Sequence, residues 1–346
     1  MLARRRRSGR SREGSRQGTG PATENLTADD GRPAAGGDVG RRRGLGGRWR
    51  WATSTAVAAL VALPVTTGGH ASATPAPGSV YAALGDSYTS GPFIPVQEQP
   101  YGCLRSDHNY PNLVAAAIGA RLTDLSCAGA TTDDLTSSQG VTPGPANPPQ
   151  LTALSSATQI VTLGIGGNDI HFSTIAESCF SPTPTGQPCQ DKYGNGGTSP
   201  DTIDQWIAAA APKIDNALSL IHSKSPNAHV YLVGYPAIFP EQPLVAGAPE
   251  GCWPTLPVAP ADVPYLRAKE KELNAMLAGQ AALAADSTFT TFVDTYTPSV
   301  GHDACEPPVI RWVEPAVPAS PAAPVHPNLF GMQGMAAAVE AAIGAA

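Results

Sequence analysis

The sequence predicts an α/β fold, a three-layer α/β/α sandwich around a mostly parallel five-stranded sheet. Three observations carry that expectation. Five short strand-like runs alternate with four longer helix-like segments, the order that parallel strands and crossover helices produce. Most of the runs are continuously apolar, as when both faces of a sheet are covered. Small Gly- and Ser-rich clusters stand just past three of the runs, where parallel sheets bind ligands.

The strand candidates are Val80–Leu84, Arg121–Leu125, Gln159–Ile165, His229–Gly234 and Phe289–Asp294. The helix candidates are Asn112–Gly119, Thr202–His222, Val263–Ala285 and Leu329–Ile343. In the second of these, Ile203, Trp206, Ile207, Ile214, Leu218 and Ile221 recur at roughly helical spacing, which marks one buried face. Pro/Gly-rich stretches separate the elements at Val141–Gln150, Ser181–Pro200, Pro236–Pro264 and Pro307–Pro327. Connections that long within a compact domain are functional or disordered.

Residues 1–73 read as an export signal with a long Arg-rich extension. They hold Arg4–Arg7 and Arg41–Arg43, then the apolar segment Trp51–Val65, then Ala71-Ser72-Ala73. A basic region, a short apolar core and an A-x-A site mark a secretory signal, and cleavage is expected after Ala73. Trp51–Val65 is too short for a membrane span. The basic region exceeds the usual length, so translation starts near Val39 or the extension is genuine. Gly-Leu-Gly-Gly after Arg41–Arg43 fits a twin-arginine signal poorly, so the general export route is expected. Residues 74–79 form a linker, and 80–346 form the single folded domain.

Removing 1–73 takes away 13 of the 22 Lys+Arg and 5 of the 28 Asp+Glu, leaving 9 against 23 and a net charge of −14. That surface disfavours nucleic acid and anionic membranes and suits an extracellular protein without a stable membrane anchor. All six cysteines (Cys103, Cys127, Cys179, Cys189, Cys252, Cys305) follow the signal. An even count in an exported chain reads as three disulfides, with fifteen pairings open. No C-x-x-C pair exists, and no metal or other cofactor is expected.

The clusters past the strand ends are Gly85-Asp86-Ser87, Ser126-Cys127-Ala128-Gly129-Ala130 and Gly166-Gly167-Asn168-Asp169; Val325-His326-Pro327-Asn328 precedes the last helix. These parts suffice for acyl transfer. A serine hydroxyl is a weak nucleophile until a base takes its proton, and His326 is the candidate base for Ser87. A tetrahedral intermediate needs preorganised donors, and the Ser87 N–H, the Gly129 N–H and the Asn168 amide are three. Each cluster alone is ordinary turn chemistry; their joint order points to a site. The sequence around Ser87 lacks G-x-S-x-G, which argues against an α/β-hydrolase nucleophile elbow.

Gly-Asp-Ser after the first strand, a lone Gly after the second, Gly-x-Asn-Asp after the third and a C-terminal His resemble the SGNH (GDSL-type) hydrolases. The spacing and six cysteines resemble the secreted esterase/lipase branch from actinomycetes, over essentially all of the mature chain. The resemblance implies Ser87 as nucleophile, His326 as base, and Ser87, Gly129 and Asn168 as the oxyanion hole. It also implies the disulfides Cys103–Cys127, Cys179–Cys189 and Cys252–Cys305. The expected activity is hydrolysis of carboxylic esters, acyl lipids or related esters, by a monomer.

The chain departs from the family at one place. An Asp usually stands three residues before the His; here the residue is Ala323. The Ala323 backbone carbonyl is then the expected orienter of the imidazole, with Asp303 and Glu314 as carboxylate substitutes and His302 as second choice of base. Phe180, Trp253 and Leu256 are expected against an acyl chain. Rival readings are phospholipase A or acyltransferase activity, polysaccharide deacetylation, and a binding module without turnover.

Overall fold

The computed structural model describes residues 76–283 and 287–345. The expected export signal, its cleavage point and the start of the 74–79 linker lie outside the described residues. The strands are β1 (Val80–Gly85), β2 (Gln97–Glu98), β3 (Arg105–Ser106), β4 (Arg121–Asp124), β5 (Ile160–Gly164), β6 (His229–Val233) and β7 (Thr290–Val293). The helices are α1 (Ser87–Ser90), α2 (Tyr110–Ile118), α3 (Phe172–Cys179), α4 (Pro188–Tyr193), α5 (Thr202–Lys224), α6 (Val263–Leu283), α7 (Tyr296–Ser299) and α8 (Leu329–Ala345).

Five strands form one parallel sheet in the order β4-β1-β5-β6-β7, while β2 and β3 pair as a small antiparallel ladder. The chain builds outward from β1 to β4, then crosses back and continues from β5 the other way. Strand order therefore reverses between β1 and β5, where a doubly wound sheet opens a crevice at its carboxyl edge.

Alternation along the strands sorts the core into two layers. Ala82, Leu84, Val161, Leu163, Val230 and Leu232 face Ile214, Leu218, Ile221 and Leu277 of α5 and α6. Tyr81, Ala83, Ile160, Tyr231, Val233 and Val293 face Val114, Met332, Met335, Val339 and Ile343 of α2 and α8. Burying one such aliphatic side chain contributes about 1.5–3 kcal/mol. Strand β4 is not an apolar run. It lies at the sheet edge, alternates between exposed and half-buried residues and ends at Asp124.

Helix α2 begins before the expected Asn112, because Asn109 caps it by accepting the Asn112 N–H at 3.1 Å, with Pro111 in the first turn, where proline costs nothing. Helix α5 opens on a reciprocal Asp201/Asp204 capping box. The disulfides are Cys103–Cys127, Cys179–Cys189 and Cys252–Cys305. The first ties the segment beside β3 to the loop after β4, and the second ties α3 to α4.

Candidate active site

Ser87 is the first residue of α1, immediately past β1. Gly85 sits at φ +153°, and a Cβ there would lie 2.3 Å from Thr89 Oγ1 and 2.5 Å from the Gly164 carbonyl. Only glycine lets β1 and β5 stay paired while the chain turns into α1. Asp86 caps the turn by accepting the Tyr88 N–H at 2.9 Å. As the first residue of a helical turn, Ser87 has an N–H with no intrahelical carbonyl to reach.

The Asp86 carboxyl also accepts a 2.6 Å hydrogen bond from the Tyr235 hydroxyl, which accepts the Gly167 N–H at 2.7 Å. This chain links the serine turn to the loop after β5. Asp86 is 1 % exposed. Burial pushes its pKa up to about 7, against the downward pull of the Tyr235 and Tyr88 donors.

Gly129 lies after β4 at φ +78°, a conformation that favours glycine. Asn168 lies after β5 and donates through Nδ2 to the Ala130 carbonyl at 2.9 Å. An amide nitrogen has two protons, so one remains for a substrate oxygen. Asp169 joins the two loops, accepting from the Thr132 N–H at 3.0 Å and hydroxyl at 2.6 Å, with Lys213 at 3.2 Å.

His326 Nε2 lies 2.8 Å from Ser87 Oγ, and Nδ1 lies 2.8 Å from the Pro324 carbonyl. The orienting carbonyl thus belongs to Pro324 and not to Ala323, the expected residue. The Ala323 carbonyl instead accepts the His326 backbone N–H at 3.2 Å. The cause is Val325, at φ +60°, which turns the chain left-handed and aims the Pro324 carbonyl at the ring. A carbonyl only accepts, so Nδ1 carries the proton and Nε2 is free to accept from Ser87. Burial lowers the His326 pKa, more than the Pro324 carbonyl raises it.

A β-branched residue at positive φ is a genuine backbone outlier and persists only where its surroundings over-determine it. Val325 donates its N–H to the Glu314 carbonyl at 3.0 Å, and its carbonyl accepts from the Tyr88 hydroxyl at 2.6 Å. The Tyr88 ring also packs against the imidazole, centroids 5.0 Å apart. No local pattern announces a contact 237 residues away.

Neither carboxylate substitute reaches the imidazole. Asp303 accepts the Cys305 N–H at 2.9 Å. Glu314 is taken by Asn328 Nδ2 at 2.7 Å, the Ala319 N–H at 2.8 Å and Arg311 at 3.1 Å. His302 is not beside Ser87 either: it contacts the Ile310 carbonyl at 2.6 Å and stacks on Trp312.

Beside Ser87 and Asn168 opens a cleft with about 830 Å³ of empty space, the part open to solvent included. Its walls include Ile170, Phe172, Ile175, Phe180, Ile238 and Leu256. Of the expected acyl contacts, Phe180 and Leu256 line it. Trp253 does not; its indole N–H donates to the Ser181 carbonyl at 3.1 Å and so ties two loops together. Helix α3, absent from the expected elements, supplies one wall. Phe172, Ile175, Ala176 and Cys179 follow an i, i+3, i+4, i+7 pattern that was legible in the sequence.

A serine–imidazole pair at the switch point of a parallel sheet, opening on an apolar cleft, places the protein among the α/β hydrolytic enzymes that work on acyl groups. The GDSL-like lipase/acylhydrolase family model matches residues 83–333. Lipase 2 of Streptomyces coelicolor is 42% identical over 262 residues, 74% of this chain and 83% of that protein. The extracellular lipase from Streptomyces rimosus has a crystal structure with TM-score 0.61 at 25% identity, covering 76% of this chain and 99% of its own. Phospholipase A1 from Streptomyces albidoflavus shares the fold, with TM-score 0.60 at 23% identity and the same coverage, 76% and 99%. The chain belongs to the GDSL-like lipase/acylhydrolase family and is a carboxylic ester hydrolase.

Proposed function

We propose that this chain is an exported serine esterase of the lipase type that cleaves fatty acyl esters through an acyl-enzyme. Ser87 Oγ attacks the ester carbonyl carbon while His326 Nε2 takes its proton. The oxyanion is held by the Ser87 N–H, the Gly129 N–H and the second Asn168 amide proton. Collapse expels the alcohol, which receives the proton from Nε2. Water then attacks the acyl-enzyme with His326 again as base, releasing the acid and restoring Ser87. No step calls for a cofactor.

The observation that carries this reading is the 2.8 Å contact between Ser87 Oγ and His326 Nε2 at the mouth of the cleft. The test is fluorophosphonate labelling with the adduct mapped by mass spectrometry. A single adduct on Ser87 is expected. No adduct on folded, disulfide-intact protein, or full activity in Ser87→Ala, overturns the reading.

The apolar walls favour a fatty chain over acetyl, since each buried methylene contributes about 0.8 kcal/mol. In a p-nitrophenyl ester series, octanoate is expected to exceed acetate in kcat/KM by about tenfold or more. Export rests on the basic region, apolar core and Ala71-Ser72-Ala73, and on three disulfides, which persist in oxidising compartments. Amino-terminal sequencing of protein recovered from culture medium is expected to begin at Thr74.

A further inference from the structure

The cleft is mostly apolar, and one of its polar groups is neither used in catalysis nor fully paired. Glu270, on α6, lines it and is 9 % exposed. One carboxyl oxygen, Oε1, accepts the Ile238 N–H at 2.9 Å. The other, Oε2, is buried without a hydrogen-bond partner. Burial raises the Glu270 pKa well above the usual carboxylate value, outweighing the Ile238 and Phe239 N–H groups that pull it down.

The other polar groups of the cleft are engaged. Asp86 and Tyr235 hold each other, and Tyr88 holds the Val325 carbonyl. Lys269 is paired with Asp201 at 2.9 Å and with Asp204. Ser87 and Asn168 belong to the reacting end. A buried polar atom without a partner costs free energy that a ligand group recovers by pairing with it. An alkyl chain offers nothing to Oε2. A hydroxyl both donates and accepts, so it satisfies the carboxyl group in either protonation state.

We propose that Glu270 is a specificity residue, and that the cleft takes acyl chains bearing a hydroxyl along the chain in preference to plain alkyl chains of equal length. The proposal rests on the fatty acyl esterase reading above. It places an unpaired polar reading point inside a mostly apolar cleft, and pairing there discriminates more sharply than a methylene does.

The test compares p-nitrophenyl decanoate with its hydroxydecanoate isomers, the hydroxyl set early, midway or late along the chain. Two readouts are taken: kcat/KM in the wild type, and Kd of the same free acids on Ser87→Ala protein by calorimetry. At least one isomer is expected to exceed the plain chain by about tenfold in both. The ratio of hydroxylated to plain substrate is then taken within each variant, so that any general loss cancels. It is expected to fall to one or below in Glu270→Met. In Glu270→Gln, whose amide oxygen still accepts from Ile238, part of it should survive.

If no isomer exceeds the plain chain in either readout, the proposal is overturned. It is overturned equally if the preference survives Glu270→Met. If a hydroxylated acid binds the tighter but neither ester is turned over, the esterase reading fails and the subsite stands.

Discussion

The two turns that meet at the site are held in opposite ways. The serine turn is shaped locally: Gly85 permits the turn, Asp86 caps it, and Gly91 closes α1 in the left-handed conformation, while distant Tyr235 only braces the cap. The histidine turn is held from a distance. Its strained Val325 is pinned by Glu314 on one side and by Tyr88 on the other, and the ring is oriented by the uncharged Pro324 carbonyl. A nucleophile can be positioned by its own sequence neighbours. A base held by a carbonyl in place of a carboxylate depends on contacts from the rest of the fold.

The largest effects come from removing either partner. Ser87→Ala and His326→Ala are each expected to lower kcat by about 10⁴-fold or more, with the double variant little worse than either single one, because the pair acts as a unit. Additive losses in kcat would break the description of Ser87 and His326 as one device. Next is Asn168→Ala, which removes a proposed oxyanion donor and is expected to cost about 10²–10³ in kcat. Unchanged kcat with raised KM would move Asn168 from the reacting centre to ground-state binding.

The same division decides what could be read from sequence. Ser87, Gly129 and Asn168 follow strand ends, and β1, β4 and β5 announce themselves by short runs bounded by Gly and Ser. Their convergence follows from sheet topology. Strand β4 as an exposed edge shows in the sequence only as the alternation of Arg-Leu-Thr-Asp, a run that is not continuously apolar. The Pro324 carbonyl was out of reach altogether. Which carbonyl faces the ring depends on Val325 at positive φ, and no propensity predicts a strained β-branched residue. That Glu270 leaves one carboxyl oxygen unpaired in the cleft likewise depends on how α6 meets the loop after β6.

A middle-sized effect tests the long-range half of the comparison. Tyr88→Phe keeps the ring against the imidazole and removes only the hydroxyl that holds the Val325 carbonyl at 2.6 Å. Leaving a buried carbonyl unpaired costs about 1–3 kcal/mol, so Tm should fall by several degrees. Because the strained turn carries the proposed base, kcat should fall about three- to tenfold with KM unchanged, and the pH profile should shift. Loss of Tm without change in kcat or pH profile would make Tyr88 a packing residue only.

The smallest effect concerns protons. The proposed base, His326, can take a proton only when neutral, and its pKa is lowered by burial. The acid limb of kcat/KM should therefore lie below about 6.5, the usual histidine value. A second group complicates that limb, because Asp86 is pushed up to about 7. Asp86→Asn separates them: the oxygen can still cap Tyr88, but the titration is gone. If the acid limb stays below about 6.5 in the variant, it belongs to His326; if it disappears, Asp86 was its source. Stability adds an independent check. A carboxyl whose folded pKa is raised stabilises most when protonated in both states and loses that contribution as pH rises from about 4 toward 7. Tm of the wild type should fall across that window more than Tm of Asp86→Asn. Equal slopes would mean that Asp86 is charged in the folded protein, and the serine turn would then be held by an ion rather than by a neutral cap.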